Sequence, residues 1–258
     1  MRRASRTRNR VAVEKLTGSP ANIAAQIRSA LKRGGSADHA AGVQQFFKEE
    51  IKSHGWPTAD LRRAVRRCRN EILRERGFDF LTQVADQLFS GPVLEEKIAA
   101  IFLLENLDAK FTDREFALFE SWLDRITIWS DHDSLVHDLI APMVAAKPAR
   151  IKKVLSWARS KNRWHRRAAC VALIRGTRAK MFFSQVVKLS DALLGDKDDM
   201  VEKGLGWLLR EAAKSDAKQA VPYLMKIRGS APRLVLRTAC ETLPALEKKK
   251  IMTKPIQK

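Results

Sequence analysis

Trp129-Ser130-Asp131-His132-Asp133 decides the fold when it is set beside five other places in the chain. The segments 61–73, 96–104, 166–174, 202–209 and 236–243 each carry, at or next to their first residue, a basic residue that leads into small and apolar ones: Arg62, Lys97, Arg167, Lys203 and Arg237. Successive basic residues stand 35, 70, 36 and 34 positions apart, so the long interval holds two periods and its midpoint falls at position 132. There the chain has His132-Asp133 in place of lysine or arginine. A period in the mid-thirties, without Pro/Gly strand punctuation, predicts helical pairs stacked in an array. Equivalent positions of such an array line one surface, so the repeat predicts a basic stripe interrupted by one acid. That acid is electrostatically misplaced unless something cationic comes to meet it.

Working outward, the expected fold class is all-α: a right-handed-type solenoid of HEAT-like antiparallel helical pairs with a concave basic groove. Helical spacing begins at Pro20 with Ile23, Ile27 and Ala30-Leu31 on one face and stops at Gly34-Gly35; a second helix is read through Phe46-Phe47 to Ile51. Thr58 is the expected N-cap of the first stripe helix. Apolar residues at i, i+3/i+4 then predict helices over 78–89, 92–107, 112–127, 130–146, 148–160, 163–175, 182–194, 200–214, 217–227 and 233–246. Prolines 92, 148 and 232 stand at helix starts, where a missing N–H costs little. Residues 1–19, with Arg2, Arg3, Arg6, Arg8 and Arg10 and no apolar periodicity, are expected to be a disordered basic arm. Residues 20–246 are expected to form a single helical-repeat domain, and 247–258 a Lys-rich tail.

The formal charge of +20 on 258 residues makes nucleic acid the first partner to consider, and 45% hydrophobic residues with six tryptophans provide for a full core. No apolar run reaches the roughly 18 residues of a membrane span, so the expected location is cytoplasmic, associated with the nucleoid. Cys68, Cys170 and Cys240 form no CxxC pair and read as core residues. No Gly-rich phosphate loop, GxSxG elbow or HExxH signature is present, which removes most nucleotide-enzyme and hydrolase classes.

Trp129 and Asp133 are one helical turn apart, Trp207 lies four residues after Lys203, and Trp164 three before Arg167. Indole faces beside a basic groove can hold a cationic or planar ligand. The residues themselves leave a plainer alternative open, in which the tryptophans pack helices and Asp133 answers its helix dipole. Asp133 and His137 at i, i+4 could be drawn as metal ligands, but no third ligand is placed beside them and no metal is expected.

Three motifs carry a resemblance: Asn162-Arg163-Trp164-His165-Arg166-Arg167-Ala168-Ala169, Gly206-Trp207-Leu208-Leu209-Arg210-Glu211 and Trp129-Ser130-Asp131-His132-Asp133. Over about residues 40–243 they resemble the AlkD-type DNA glycosylases, HEAT-like-repeat enzymes of alkylation repair. The resemblance implies that Asp133 is the catalytic aspartate, that Trp129 and Trp207 flank the lesion nucleotide, that Arg167 is the active-site arginine, and that Arg62 contacts the DNA backbone. It also implies excision of positively charged N3- and N7-alkylated purines. The chain departs from the family at Asp199-Met200, where an aromatic is usual, and in its long basic arm.

Both lines of reading meet in one expectation: a monomeric hydrolase of the N-glycosidic bond acting on double-stranded DNA. Asp133 would stabilise an oxocarbenium-like sugar and hold water. Arg167 would fix a phosphate, and Arg62, Lys97, Arg163, Arg166, Lys203, Arg210 and Arg237 would hold the duplex. No cofactor is expected, because the leaving group arrives already cationic. A non-catalytic DNA- or RNA-binding protein and a scaffold for an acidic protein partner are the rival classes.

Overall fold

A computed structural model describes residues 15–253. All of its regular elements are helical, apart from one isolated bridge between Lys52 and Val93. The chain divides into two compact units whose boundary lies between Leu107 and Asp108. No helix among the described residues is long and apolar enough to cross a membrane.

In the first unit, α1 (Pro20–Gly34) starts at Ser19, whose side chain accepts from the Asn22 N–H, and buries Ile23, Ala24, Ile27, Ala30 and Leu31. The helix α2 (Ala37–Gln44) ends earlier than the sequence suggested. The Gln44 amide turns back to meet the Phe47 and Glu49 carbonyls and the Ile51 N–H, so 47–51 is held as irregular chain. Next, α3 (Thr58–Phe89) bends at Gly77, whose φ of 81° suits glycine far better than other residues. Thr58 is the first residue of α3 and not its cap, since the preceding Pro57 already supplies the extended entry. Finally α4 (Leu94–Leu104) packs against α3, and α1 packs on both.

The fixed point of this unit is Glu95, 3% exposed. Its carboxylate accepts from Ser53 Oγ (2.6 Å) and from the backbone N–H groups of His54 (2.8 Å), Gly55 (2.9 Å) and Trp56 (3.2 Å). A buried acid is tolerated here because it satisfies N–H groups of a loop that has no helix to do so. The proposed arm is also shorter than expected. Leu16 is buried and its N–H donates to Glu71 Oε1 at 2.9 Å, so 15–19 belong to the packed chain, while residues 1–14 lie outside the described residues.

The second unit begins with α5 (Asp113–Trp122), started by a reciprocal cap between Thr112 and Glu115. A long rod follows: α6 (Trp129–Leu135), a π-helical turn (Val136–Ile140) and α7 (Ala141–Ala146). Pro142 has no N–H to give and its ring crowds the preceding turn, which accounts for a widened ladder just ahead of it. The remaining helices are α8 (Ile151–Ser156), α9 (Arg163–Arg178), α10 (Phe183–Leu193), α11 (Asp199–Ser215), α12 (Ala217–Ile227), α13 (Arg233–Ala239) and α14 (Ala245–Met252). The α6–α7 rod, α9, α11 and α13 pack side by side in one layer; α8 lies against α9, α10 against both α9 and α11, and α12 against α11. Positions 133, 167, 203 and 237 therefore fall on successive helices of one layer, which is the physical content of the repeat in this unit.

Two boundaries move. The helix expected over 233–246 stops at Ala239, and Pro244 opens α14. The tail expected from 247 is helical through Met252: Ile251 is fully buried, and the Lys250 and Met252 carbonyls accept from Arg228 and Arg233. Residues 254–258 lie outside the described residues.

Replacing Glu95 by alanine takes the acceptor from the His54 and Trp56 N–H groups and from the Ser53 hydroxyl, leaving Gly55 N–H only its bond to Ser53 Oγ, which should cost about 3 kcal/mol or more. The thermal melt of Glu95→Ala measures this directly, and a midpoint equal to wild type would show that Glu95 is not what holds the loop.

Candidate functional site

The site begins with a helix start that is built to be rigid. Asp131, fully buried, accepts from the Thr127 and Ile128 N–H groups (3.1 and 3.0 Å), from Thr127 Oγ1 (2.9 Å) and from the His132 N–H (2.9 Å). A carboxylate in the first turn satisfies amides that no helical carbonyl can reach and also matches the dipole. This fixes the first turn of α6, on which Trp129, 38% exposed, precedes Asp133 by four residues.

Asp133 is met by two neighbours. Arg167 of α9 approaches it side-on as a fork, with Nε to Oδ1 at 2.9 Å and Nη2 to Oδ2 at 2.7 Å. His132 Nδ1 lies 2.7 Å from Oδ1. Arg167 spends a further N–H on the Met200 carbonyl at 2.6 Å, and its stem passes over Gly204, where an added Cβ would come within 3.1 Å of Arg167 Cγ. Burial alone would raise the Asp133 pKa, but the hydrogen bonds from His132 and Arg167 outweigh it and hold the carboxyl below its usual range. Asp133 is thus ionised at neutral pH. Its side chain is 20% exposed. Of its four lone-pair directions three are filled, and the open one lies on Oδ2.

His132 is fully buried, between the Asp133 carboxylate and the Trp164 carbonyl, which lies 3.0 Å from Nε2. Burial pulls its pKa below the ordinary histidine value although the carboxylate acts the other way. Both ring nitrogens thus face acceptors, the Asp133 carboxylate at Nδ1 and the Trp164 carbonyl at Nε2; the ionised carboxylate, nearer at 2.7 Å, is the stronger one.

Trp207, on α11, is half-buried and stacks on His137 with ring centres 6.3 Å apart and planes 12° from parallel. Asp133, Arg167, His132 and the His137–Trp207 pair thus come from α6, its π turn, α9 and α11. Trp164 is a packing residue, 7% exposed, under the guanidinium of Arg163 at 4.7 Å.

The basic stripe is largely ion-paired. Arg62 meets Glu105 at 3.0 Å, Arg163 meets Asp198 at 3.6 Å, Arg166 meets Asp196 at 2.6 Å, Lys203 meets Asp199 at 3.0 Å, and Arg210 meets Glu241 at 2.6 Å. Arg237 is exposed and has no ion pair among the described residues. Lys97 is a correction: it is 1% exposed, with Nζ 5.2 Å from the Phe89 ring centre, and so is not presented to DNA. Arg167 is another: at 6% exposure its guanidinium is committed to Asp133 and Met200, not to a phosphate. Sequence reasoning missed the bracing roles of Asp131 and His132, although both stand in the decisive stretch, and it treated His137 only as a possible metal ligand.

The model of a family described as DNA alkylation repair enzyme matches residues 27–243. No curated protein matches the chain. Among solved structures it is similar to one titled "Predicted DNA alkylation repair enzyme from Enterococcus faecalis", at 16% identity and a TM-score of 0.74, over 82% of this chain and 97% of that one. At this identity the likeness speaks for the fold.

Because the folded pKa of Asp133 lies below the unfolded value near 3.9, the pair's stabilisation is present above that value and is lost as pH falls through the folded one. Asp133→Asn should therefore lose less stability than wild type as pH falls below about 4. Arg167→Ala, which leaves a buried carboxylate unpaired, should cost about 3–5 kcal/mol at neutral pH, and the double variant should recover part of it. Denaturant midpoints across that pH range check both, and additive effects of the two substitutions would contradict the pairing.

Proposed function

Because the chain belongs to the DNA alkylation repair enzyme family, we propose that it is a DNA glycosylase that removes positively charged N3- and N7-alkylated purines from duplex DNA. The observation that carries this reading is Asp133: ionised, fixed by three hydrogen bonds, and with one lone pair of Oδ2 still open.

The chemistry follows from charge. In an N3- or N7-alkylated purine the ring bears a positive charge, so the C1′–N bond breaks with its electron pair going to the base. The base leaves neutral, and the sugar becomes an oxocarbenium-like cation. A carboxylate already oriented and ionised stabilises that cation without reorganising. The open lone pair of Oδ2 can accept a hydrogen bond from the water that adds to C1′, and the proton passes by way of the carboxylate to solvent. Arg167 and His132 hold the group in place and ionised, at the expense of part of its field. Trp129 and Trp207 pack on the deoxyribose and exclude bulk water. No metal or cofactor is required by this route, since the leaving group needs no further activation. In this reading the protein acts as a monomer on genomic DNA in the cytoplasm. Arg237 is the stripe residue best placed to neutralise a phosphate, whereas Arg62, Arg163, Arg166, Lys203 and Arg210 must first exchange an acid for one.

One observation favours a second reading. A carboxylate neutralised by a two-pronged arginine also suits a DNA-binding protein with no excision step, where the pair only ties α6 to α9. Single-turnover release of 7-methylguanine or 3-methyladenine separates the two. In the glycosylase reading Asp133→Asn lowers release about 10²-fold or more. It leaves binding to undamaged duplex equal or tighter, because a negative charge is removed and Arg167 is freed. Release at the wild-type rate would remove Asp133 from the mechanism.

The slope of log affinity against log salt should fall by about 0.9 when Arg237 is replaced by alanine, and should not change for Lys97→Met. A slope that responds to Lys97 and not to Arg237 would reverse this assignment.

A further inference from the structure

Neither the repeat nor the glycosidic chemistry gives His137 a role. Its two ring nitrogens define its state: Nδ1 lies 2.9 Å from Asp138 Oδ1, and Nε2 lies 3.3 Å from Arg178 Nη1. A guanidinium only donates, so Nε2 is the bare nitrogen and Nδ1–H donates to Asp138. A metal ion at Nε2 would have to displace a cation, which disposes of His137 as a metal ligand.

These contacts close a circuit. The His137 ring lies nearly parallel to the Trp207 indole of α11, offset from it with ring centres 6.3 Å apart. Arg178, in the last turn of α9, donates from Nη1 to His137 and from Nε to Glu211 Oε2 at 2.9 Å. Glu211 is buried and stands on α11 four residues after Trp207, on the same face of the helix. From Trp207 the path runs to His137, to Arg178, to Glu211 and back to the helix that carries Trp207. An indole on a half-buried helix face otherwise has several staggered rotamers open to it, and the stacked ring selects one.

We infer that His137 is a positioning residue: braced by Arg178 and Asp138, its ring lies parallel to the Trp207 indole, meets it at an edge and holds it in a single orientation. For a nucleotide this means an indole presented in one fixed orientation. The consequence for excision rests on the glycosylase reading; the orientation of Trp207 does not.

The test uses the full chain and three variants: His137→Ala, His137→Phe, which keeps a flat ring without its hydrogen bonds, and Arg178→Met. The emission of Trp207 is isolated by subtracting Trp207→Phe backgrounds and is quenched with acrylamide. Quenching should rise in His137→Ala, return to the wild-type value in His137→Phe, and fall between the two in Arg178→Met; melting temperatures should stay close to wild type in the two His137 variants, whose side chain is 40% exposed, and drop in Arg178→Met, which takes the nearest partner from buried Glu211. Single-turnover release of 7-methylguanine should fall about tenfold in His137→Ala and be largely restored in His137→Phe, the scale expected for a misplaced positioning group. Unchanged quenching in His137→Ala overturns the inference, as does failure of phenylalanine to restore it. Altered quenching with full release in every variant overturns the link to excision. A wild-type protein that binds duplex and releases no base defeats the glycosylase reading alone, and quenching then still decides the role of His137.

Discussion

Two charges 2.7 Å apart, the carboxylate of Asp133 and the guanidinium of Arg167, are the interaction on which the second unit turns. Each is costly to bury alone, and together they are tolerated because every contact is directional: a fork on the carboxylate, a histidine N–H on the same oxygen, a backbone carbonyl for the remaining arginine donor. The pair joins α6 to α9, and the Met200 carbonyl brings in α11. Its geometry depends on features that look incidental in the sequence: four hydrogen bonds onto Asp131 that stop the helix start from fraying, and a glycine at 204 where a methyl group would press on the arginine stem.

The same pair explains why an acid can sit in a repeat of cations. The sequence argument asked what cation would come to meet Asp133 and looked to a substrate. The structure supplies one from the next repeat. This does not remove the proposed chemistry. It changes the role of the arginine from phosphate binder to holder of the carboxylate, and it leaves the reacting cation one open lone pair and not a bare charge.

The helical array in the second unit was legible because position 167 on α9, 203 on α11 and 237 on α13 repeat at the interval of one helical pair, and small residues such as Ala168, Ala169, Gly204 and Gly206 allow those helices to lie close. The stripe was less legible. A period places acids as faithfully as bases: Arg163, Arg166 and Arg210 each meet an acid some thirty residues downstream, so a row of cations read one residue at a time becomes a row of pairs. Lys97 failed for a different reason. All of α4 after Leu94 is buried, including Glu95 and Glu96, and periodicity alone cannot show that a helix has no solvent face. The helix ends near Gln44 and Ala239 were missed because they are set by side-chain turns and by Pro244, which compete with helical spacing and leave little trace in it.

The central claim is that Asp133 stabilises a cation at the sugar. The measurement that reaches it most directly is binding of an oligonucleotide duplex that carries, at one position, either a cationic pyrrolidine analogue of the abasic sugar or a neutral tetrahydrofuran of the same shape. A site complementary to the developing cation binds the charged analogue more tightly. Wild-type protein should prefer the cation, and Asp133→Asn should lose that preference while binding the neutral duplex as well as before. Equal preference in the two proteins would contradict the account.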